Sequence, residues 1–137
     1  MRFDTSAFIQ YQLRCISEFH KAGVQFMAGS DANDAFIGNI PGFSVHQEME
    51  LFVRAGLTNL EALQTATLNP ALYLEAIDSL GTIEKNKIAD LVILSANPLD
   101  NISNTSRIEG VFVNGKYLDR KKLDELLQQV KLLVKNQ

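Results

Sequence analysis

With 137 residues, 46% hydrophobic and 21% charged, the chain has the composition of one globular domain and enough apolar material to bury a core. Its formal net charge of −3 argues against nucleic-acid binding as the main task, because phosphate contacts need a basic face. The short apolar runs exclude a transmembrane helix, and a single cysteine, Cys15, excludes an internal disulfide.

Met1-Arg2-Phe3-Asp4 lacks the charged-then-apolar pattern of a secretion signal. That favours a cytoplasmic protein, an expectation that a leader on a longer product would overturn. Residues 6–22 then carry Phe8, Ile9, Leu13, Ile16 and Phe19 at near-helical spacing, with Ser6 as the expected cap and Gly23 as the stop. Val24-Gln25-Phe26-Met27-Ala28 reads as a short buried strand running into the small polar turn Gly29-Ser30-Asp31-Ala32. Helix, glycine, strand and polar turn make the rhythm of an α/β unit.

Residues 32–45 hold Asn33, Asp34, Gly38, Asn39, Pro41 and Gly42. A loop this long in a compact domain raises the prior for function. A helix is expected from Ser44 to Ala55, closed by Gly56. Thr58-Asn59-Leu60-Glu61 is a capping-box pattern opening a helix to Leu68. Pro70 suits the first turn of another, reaching Ala76. Past Gly81 the pattern turns strand-like, at Thr82-Ile83-Glu84 and from Ile88 to Leu94, with Asn86 able to take positive φ between them. Ile108 to Val113, Asn114-Gly115 and Lys116-Tyr117-Leu118 form a hairpin signature, since Asn-Gly suits a type I′ turn. Leu123, Leu126, Leu127, Val130, Leu133 and Val134 give one apolar face to a helix from Asp119 to Lys135. The five-residue strand near Phe26 has no sheet to join in its own half, although its backbone groups need partners.

Asp31 is the leading candidate for chemistry. α/β enzymes place catalytic groups just past the C-terminal end of a buried strand, where a carboxylate can ligate a metal or act as base on water. A capping carboxylate fits the same position, and the local sequence does not choose between the two. Asn33, Asp34 and Phe36 are candidate pocket-lining residues, with loop packing as the competing account. His46 lies near a helix start beside Glu48 and Glu50, but His-x-Glu splits its side chains around a helix, so a polar helix-terminus histidine is favoured over a ligand. His20 sits at the negative end of its helix dipole, a surface or end-capping place. Two histidines cannot build a three-ligand histidine site within the chain. Cys15, between Leu13 and Ile16, reads as a buried inert thiol, Met27 and Met49 as core, and Arg120-Lys121-Lys122 as a solvated helix face.

Several stretches fall in a telling order: Ala22-Gly23-Val24 through Gly29-Ser30-Asp31-Ala32, His46-Gln47-Glu48-Met49-Glu50-Leu51, Ala55-Gly56-Leu57-Thr58 and Ala66-Thr67-Leu68-Asn69-Pro70-Ala71. They continue with Leu80-Gly81-Thr82-Ile83-Glu84, Lys87-Ile88-Ala89-Asp90-Leu91-Val92-Ile93-Leu94, Asn97-Pro98-Leu99 and Val113-Asn114-Gly115-Lys116. Together they resemble the C-terminal part of the metal-dependent amidohydrolase superfamily, in particular its imidazolonepropionase-like and Xaa-Pro-dipeptidase-like branch. Two departures are visible: Gly-Ser-Asp stands for the family's Gly-Thr-Asp, and Glu84-Lys85-Asn86-Lys87 for its Glu-Pro-Gly-Lys turn.

The resemblance implies an α/β fold: the C-terminal fragment of a (β/α)8 TIM-like barrel, the C-terminal strands of a small β-sandwich domain, and a terminal helix. Residues 1–80 would be the end of the barrel, 81–118 the sandwich strands and 119–137 the helix. Residues 24–28 would be the eighth barrel strand, and Asp31 the acid that binds the metal and shuttles a proton. The likeness further implies hydrolysis of amide or cyclic C–N bonds, a small-molecule or peptide-like substrate, and a divalent metal, zinc, in the full-length parent. The family's His-x-His strand and remaining ligands have no counterpart here, so no metal and no activity are expected of this chain alone. A whole barrel needs about 250 residues. The alternative is a non-catalytic assembly module that self-associates or docks on a separate barrel-bearing chain, without nucleic acid or membrane.

Overall fold

A computed structural model describes residues 5–31 and 39–135. Helix α1 (Thr5–Lys21) leads, followed by an extended run, then α2 (Ser44–Arg54), α3 (Asn59–Thr65) and α4 (Leu68–Tyr73). Strand β1 (Leu91–Leu94), a 3-10 turn (Ile102–Ser106), β2 (Ile108–Val113), β3 (Lys116–Asp119) and helix α5 (Arg120–Lys135) complete the order. No described helix is long and apolar enough to cross a membrane.

Local signals set most boundaries. The Thr58 side chain accepts from the Glu61 backbone N–H while the Glu61 carboxylate accepts from the Thr58 N–H at 2.7 Å, so the expected capping box opens α3. Asn114 (φ 49°) and Gly115 (φ 75°) both take positive φ between β2 and β3, as a type I′ turn demands. Asn86 does the same at φ 73°. Asp119 ends β3 and accepts from the Lys122 N–H at 2.8 Å, so it caps α5 instead of opening it. Ser6, the expected cap of α1, lies inside that helix. Helix α4 stops short of Ala76 because Glu75 turns to φ 55°. The strand expected at residues 82–84 is a bend and an irregular stretch, and the strand expected from Ile88 begins at Leu91.

The sheet is antiparallel with β2 central. Leu91 faces Phe112 and Ile93 faces Gly110, with an irregularity between Ile93 and Leu94, while Gly110 pairs Asp119 and Val113 pairs Lys116 across the hairpin. The Tyr117 ring lies over Gly110 so closely that a Cβ there would sit 2.7 Å from it. It also meets Phe112 at 4.9 Å between centroids.

The core gathers Met49 and Phe52 of α2, Leu57, Ala62 of α3 and Ile102 of the 3-10 turn, with Ile16, Phe26 and Ala28 packed against it. Residues 24–28 correct the sequence reading in two ways. The segment is extended but pairs with no strand among the described residues. It is also covered on one face only. Phe26 and Ala28 turn inward, with Phe26 meeting Phe52 at 5.5 Å, whereas Gln25 and Met27 are exposed. Met27 is therefore not core, while Met49 is. The apolar α5 stripe is largely open as well: Leu126, Leu127 and Val130 are exposed, and Leu123 is half-buried.

Candidate active site

The run from Val24 to Ser30 is held from the α3–α4 corner. The Ala28 N–H donates to the Thr65 carbonyl at 2.9 Å, and the Asn69 side-chain amide donates to the Phe26 carbonyl at 2.8 Å. Thr65 is itself buried and gives its hydroxyl proton to Ala62 O. Phe26 and Ala28 pack against the helical core, while Gln25, Met27 and Gly29 are exposed and Ser30 is half-buried. Asp31 follows at the end of the run, exposed, with φ 47°. For a non-glycine residue this left-handed conformation is uncommon, and Asp tolerates it better than most. The Asn39 side-chain amide donates to the Ser30 carbonyl at 2.6 Å and so clamps the backbone next to Asp31.

The candidates Asn33, Asp34 and Phe36 lie outside the described residues. His46 stands in the first turn of α2, as expected of a helix-terminus histidine, and its Nδ1 lies 3.0 Å from Thr105 Oγ1. Burial pushes its pKa down, opposed by the nearby Glu50 carboxylate. His20, in the last turn of α1, faces Glu61 at 3.7 Å. Glu61 is held below the usual carboxylate range, first by the Thr58 backbone and side-chain hydrogen bonds and then by His20. Cys15 is half-buried and lines a groove of about 440 Å³ between α1 and α2, together with Tyr11, Ile16, Glu48 and Phe52. Glu48 Oε2 is buried without a hydrogen-bond partner among the described residues, and Asp31 is not part of that groove.

A catalytic zinc takes three protein ligands plus water. Among the described residues no three His, Cys, Asp or Glu side chains come together in a way that could hold a metal. Asp31 thus offers one carboxylate, and the described residues do not by themselves fit the divalent ion that the sequence likeness implies. Sequence reasoning named Asp31 as a candidate, and it lies exposed at the end of the extended run. The same reasoning missed Asn39, Asn69 and Thr65, whose partners lie 9 to 43 residues away and leave no local signature.

The sequence is 49% identical over 55 residues to the imidazolonepropionase of Thermoplasma acidophilum, a match covering 39% of this chain and 13% of that protein. The fold is similar to a crystal structure of a Xaa-Pro dipeptidase with methionine bound in its active site, with TM-score 0.69 and 28% identity over 78% of this chain and 25% of the other. It is also similar to a prolidase from Bifidobacterium longum described as putative, with TM-score 0.68 and 30% identity over 85% of this chain and 30% of the other. Molinate hydrolase matches with TM-score 0.69 and 27% identity, over 76% and 25%. The chain therefore spans about an eighth of the curated relative it matches and a quarter to a third of these structures. The helices and the small antiparallel sheet are consistent with a fragment of an amidohydrolase fold. The amidohydrolase family profile matches residues 9–118, most of the sequence, and the chain belongs to the amidohydrolase family.

Proposed function

We propose that this chain is the C-terminal portion of a metal-dependent hydrolase acting on amide or cyclic C–N bonds, and that it does not turn over substrate by itself. The observation that carries the reading is the extended run covered on one side only. Residues 24–30 are extended and covered by helices on one face, and they lead directly into Asp31. This supports reading the run as a last barrel strand whose neighbours lie elsewhere; residues 1–80 would then be the barrel end, 81–118 the sandwich strands and 119–137 a helix. The names of the similar proteins, a dipeptidase and a hydrolase among them, support hydrolysis as the reaction class.

In this reading Asp31 takes a proton from the attacking water as its oxygen bonds to the substrate carbonyl carbon. It then returns the proton to the departing nitrogen as the C–N bond breaks. The exposed side of the run would face the substrate, and Asn33 and Asp34 would line its pocket. The complete enzyme would hold a divalent metal, zinc by the family likeness, and Asp31 is the ligand that the described residues would offer to it. Zinc analysis and a hydrolytic assay on the purified chain test the proposal: no stoichiometric metal and no turnover are expected, and tight zinc with turnover would overturn it.

A second reading, a non-catalytic assembly module, draws on the exposed apolar side chains of α1 (Phe8, Tyr11, Phe19) and α5 (Leu126, Leu127, Val130). These would be covered in a homo-oligomer or by a separate barrel-bearing chain. Sedimentation of the chain as a monomer at high concentration would refute self-association.

A further inference from the structure

We propose that His46 is a positioning residue for Asp31, tying the backbone beside the carboxylate to the 3-10 turn of the β portion. This rests on the role given to Asp31 above. The connection runs through described atoms only. Asn39 holds the Ser30 carbonyl at 2.6 Å. The next residue, Ile40, is locked reciprocally to Ser44: its N–H donates to Ser44 Oγ at 2.8 Å, and its carbonyl accepts from the Ser44 N–H at 3.0 Å. Ser44 is buried and opens α2, and two residues on, the His46 N–H donates to the Phe43 carbonyl at 3.1 Å.

The far end of the path fixes the histidine's protonation pattern. Thr105 is buried, and its hydroxyl donates to the Ile102 carbonyl at 2.9 Å. A hydroxyl has one proton to give, so Thr105 Oγ1 accepts from the imidazole and Nδ1 carries the hydrogen. Ile102 belongs to the central core. His46 thereby ties the segment from Asn39 to Ser44 to Thr105, 59 residues away. The ring also lies at the positive end of the α2 dipole, which disfavours imidazolium. Of the described charged groups, Glu50 acts on it from α2 in the opposite sense, and the 3-10 turn, Ile-Ser-Asn-Thr-Ser, contributes none. Protonation at Nε2 leaves the Nδ1–H bond to Thr105 in place but sets a positive charge against the α2 N-terminus, and with the ring held by Thr105 that repulsion passes to the Ser44–His46 turn and on to the Ser30–Asp31 backbone.

The test is a pH titration of the full chain between about pH 5 and 8, following the His46 ring proton and the Ser30 and Asp31 amides by NMR. Both amides should show an inflection at the midpoint of the His46 ring. Thr105→Val should abolish that inflection while the ring still titrates, Thr105→Ser should keep it, and His46→Asn should remove it. A role in packing alone predicts the reverse, because valine keeps the shape of threonine whereas serine loses its methyl. If Thr105→Val does not fold, the wild type against His46→Asn decides. Absence of the inflection in the wild type, or its persistence in His46→Asn or in a folded Thr105→Val, overturns the proposal. Failure of Asp31 to bind metal or support hydrolysis in a complete enzyme would leave this coupling in place, so the two readings fail separately.

Discussion

Replacing Gly81 with alanine should be among the most damaging single-methyl changes in the molecule. Gly81 has φ +86°, and a Cβ built on it falls 2.6 Å from Ala71 Cβ, 3.4 Å from Ile77 Cδ1 and 3.4 Å from the Thr67 carbonyl. Left-handed backbone costs an alanine about 1–2 kcal/mol. Carbon pairs prefer about 3.5–4.0 Å, so the new methyl must be relieved by about 1 Å. Ala71 is buried in α4 and has no flexible side chain with which to retreat, which adds an overpacking cost of about 1–3 kcal/mol. The sum is about 2–5 kcal/mol, a large part of the roughly 5–15 kcal/mol that holds a typical domain. Gly23 is the internal control, since its φ is +81° but nothing lies within 4 Å of an added Cβ. Urea denaturation followed by circular dichroism should show Gly81→Ala losing about 1–3 kcal/mol more than Gly23→Ala. Equal losses would refute the contact argument, and a Gly81→Ala loss below about 1 kcal/mol would refute the backbone argument too.

Three further outcomes are expected. Thr58→Ala removes one side of the capping box and should cost about 1 kcal/mol in the same denaturation assay, with Glu61→Gln milder because it keeps an acceptor for the Thr58 N–H. Phe52→Ala empties the centre of the core beneath Phe26 and should cost about 3–5 kcal/mol; a loss near 1 kcal/mol would mean that residues 24–28 do not pack there. Burial lowers the folded-state pKa of His46 below its ordinary value, so the unfolded chain binds more protons as pH falls through about 6.5. The contribution of His46 should be complete above that pH and diminish below it, and Tm measured against pH should flatten in His46→Asn.

How far the sequence could be read depended on the range of each interaction. The Thr58–Glu61 box, the Asn114-Gly115 turn and the Asn86 turn are specified within four residues, and each forms as the pattern implies. Residues 24–28 were legible as an extended, half-apolar run, but strand pairing is a non-local event and no ladder flanks them among the described residues. Asp31 could be located from its place after that run. The contacts around it could not, because Asn39, Asn69 and Thr105 act across 9, 43 and 59 residues on two carbonyls and an imidazole. The α5 stripe shows the converse. Its spacing announces an apolar face, but spacing does not say what covers that face, and here Leu126, Leu127 and Val130 stay exposed.

The central claim is that Asp31 supplies one carboxylate to a hydrolytic site that this chain does not complete. The most direct test is to saturate the purified chain with zinc, remove the excess, and measure bound metal together with hydrolysis of amide and cyclic C–N substrates, in the wild type and in Asp31→Asn. The account predicts no stoichiometric zinc and no turnover above the blank in either protein. One zinc per chain with turnover that disappears in Asp31→Asn would contradict it.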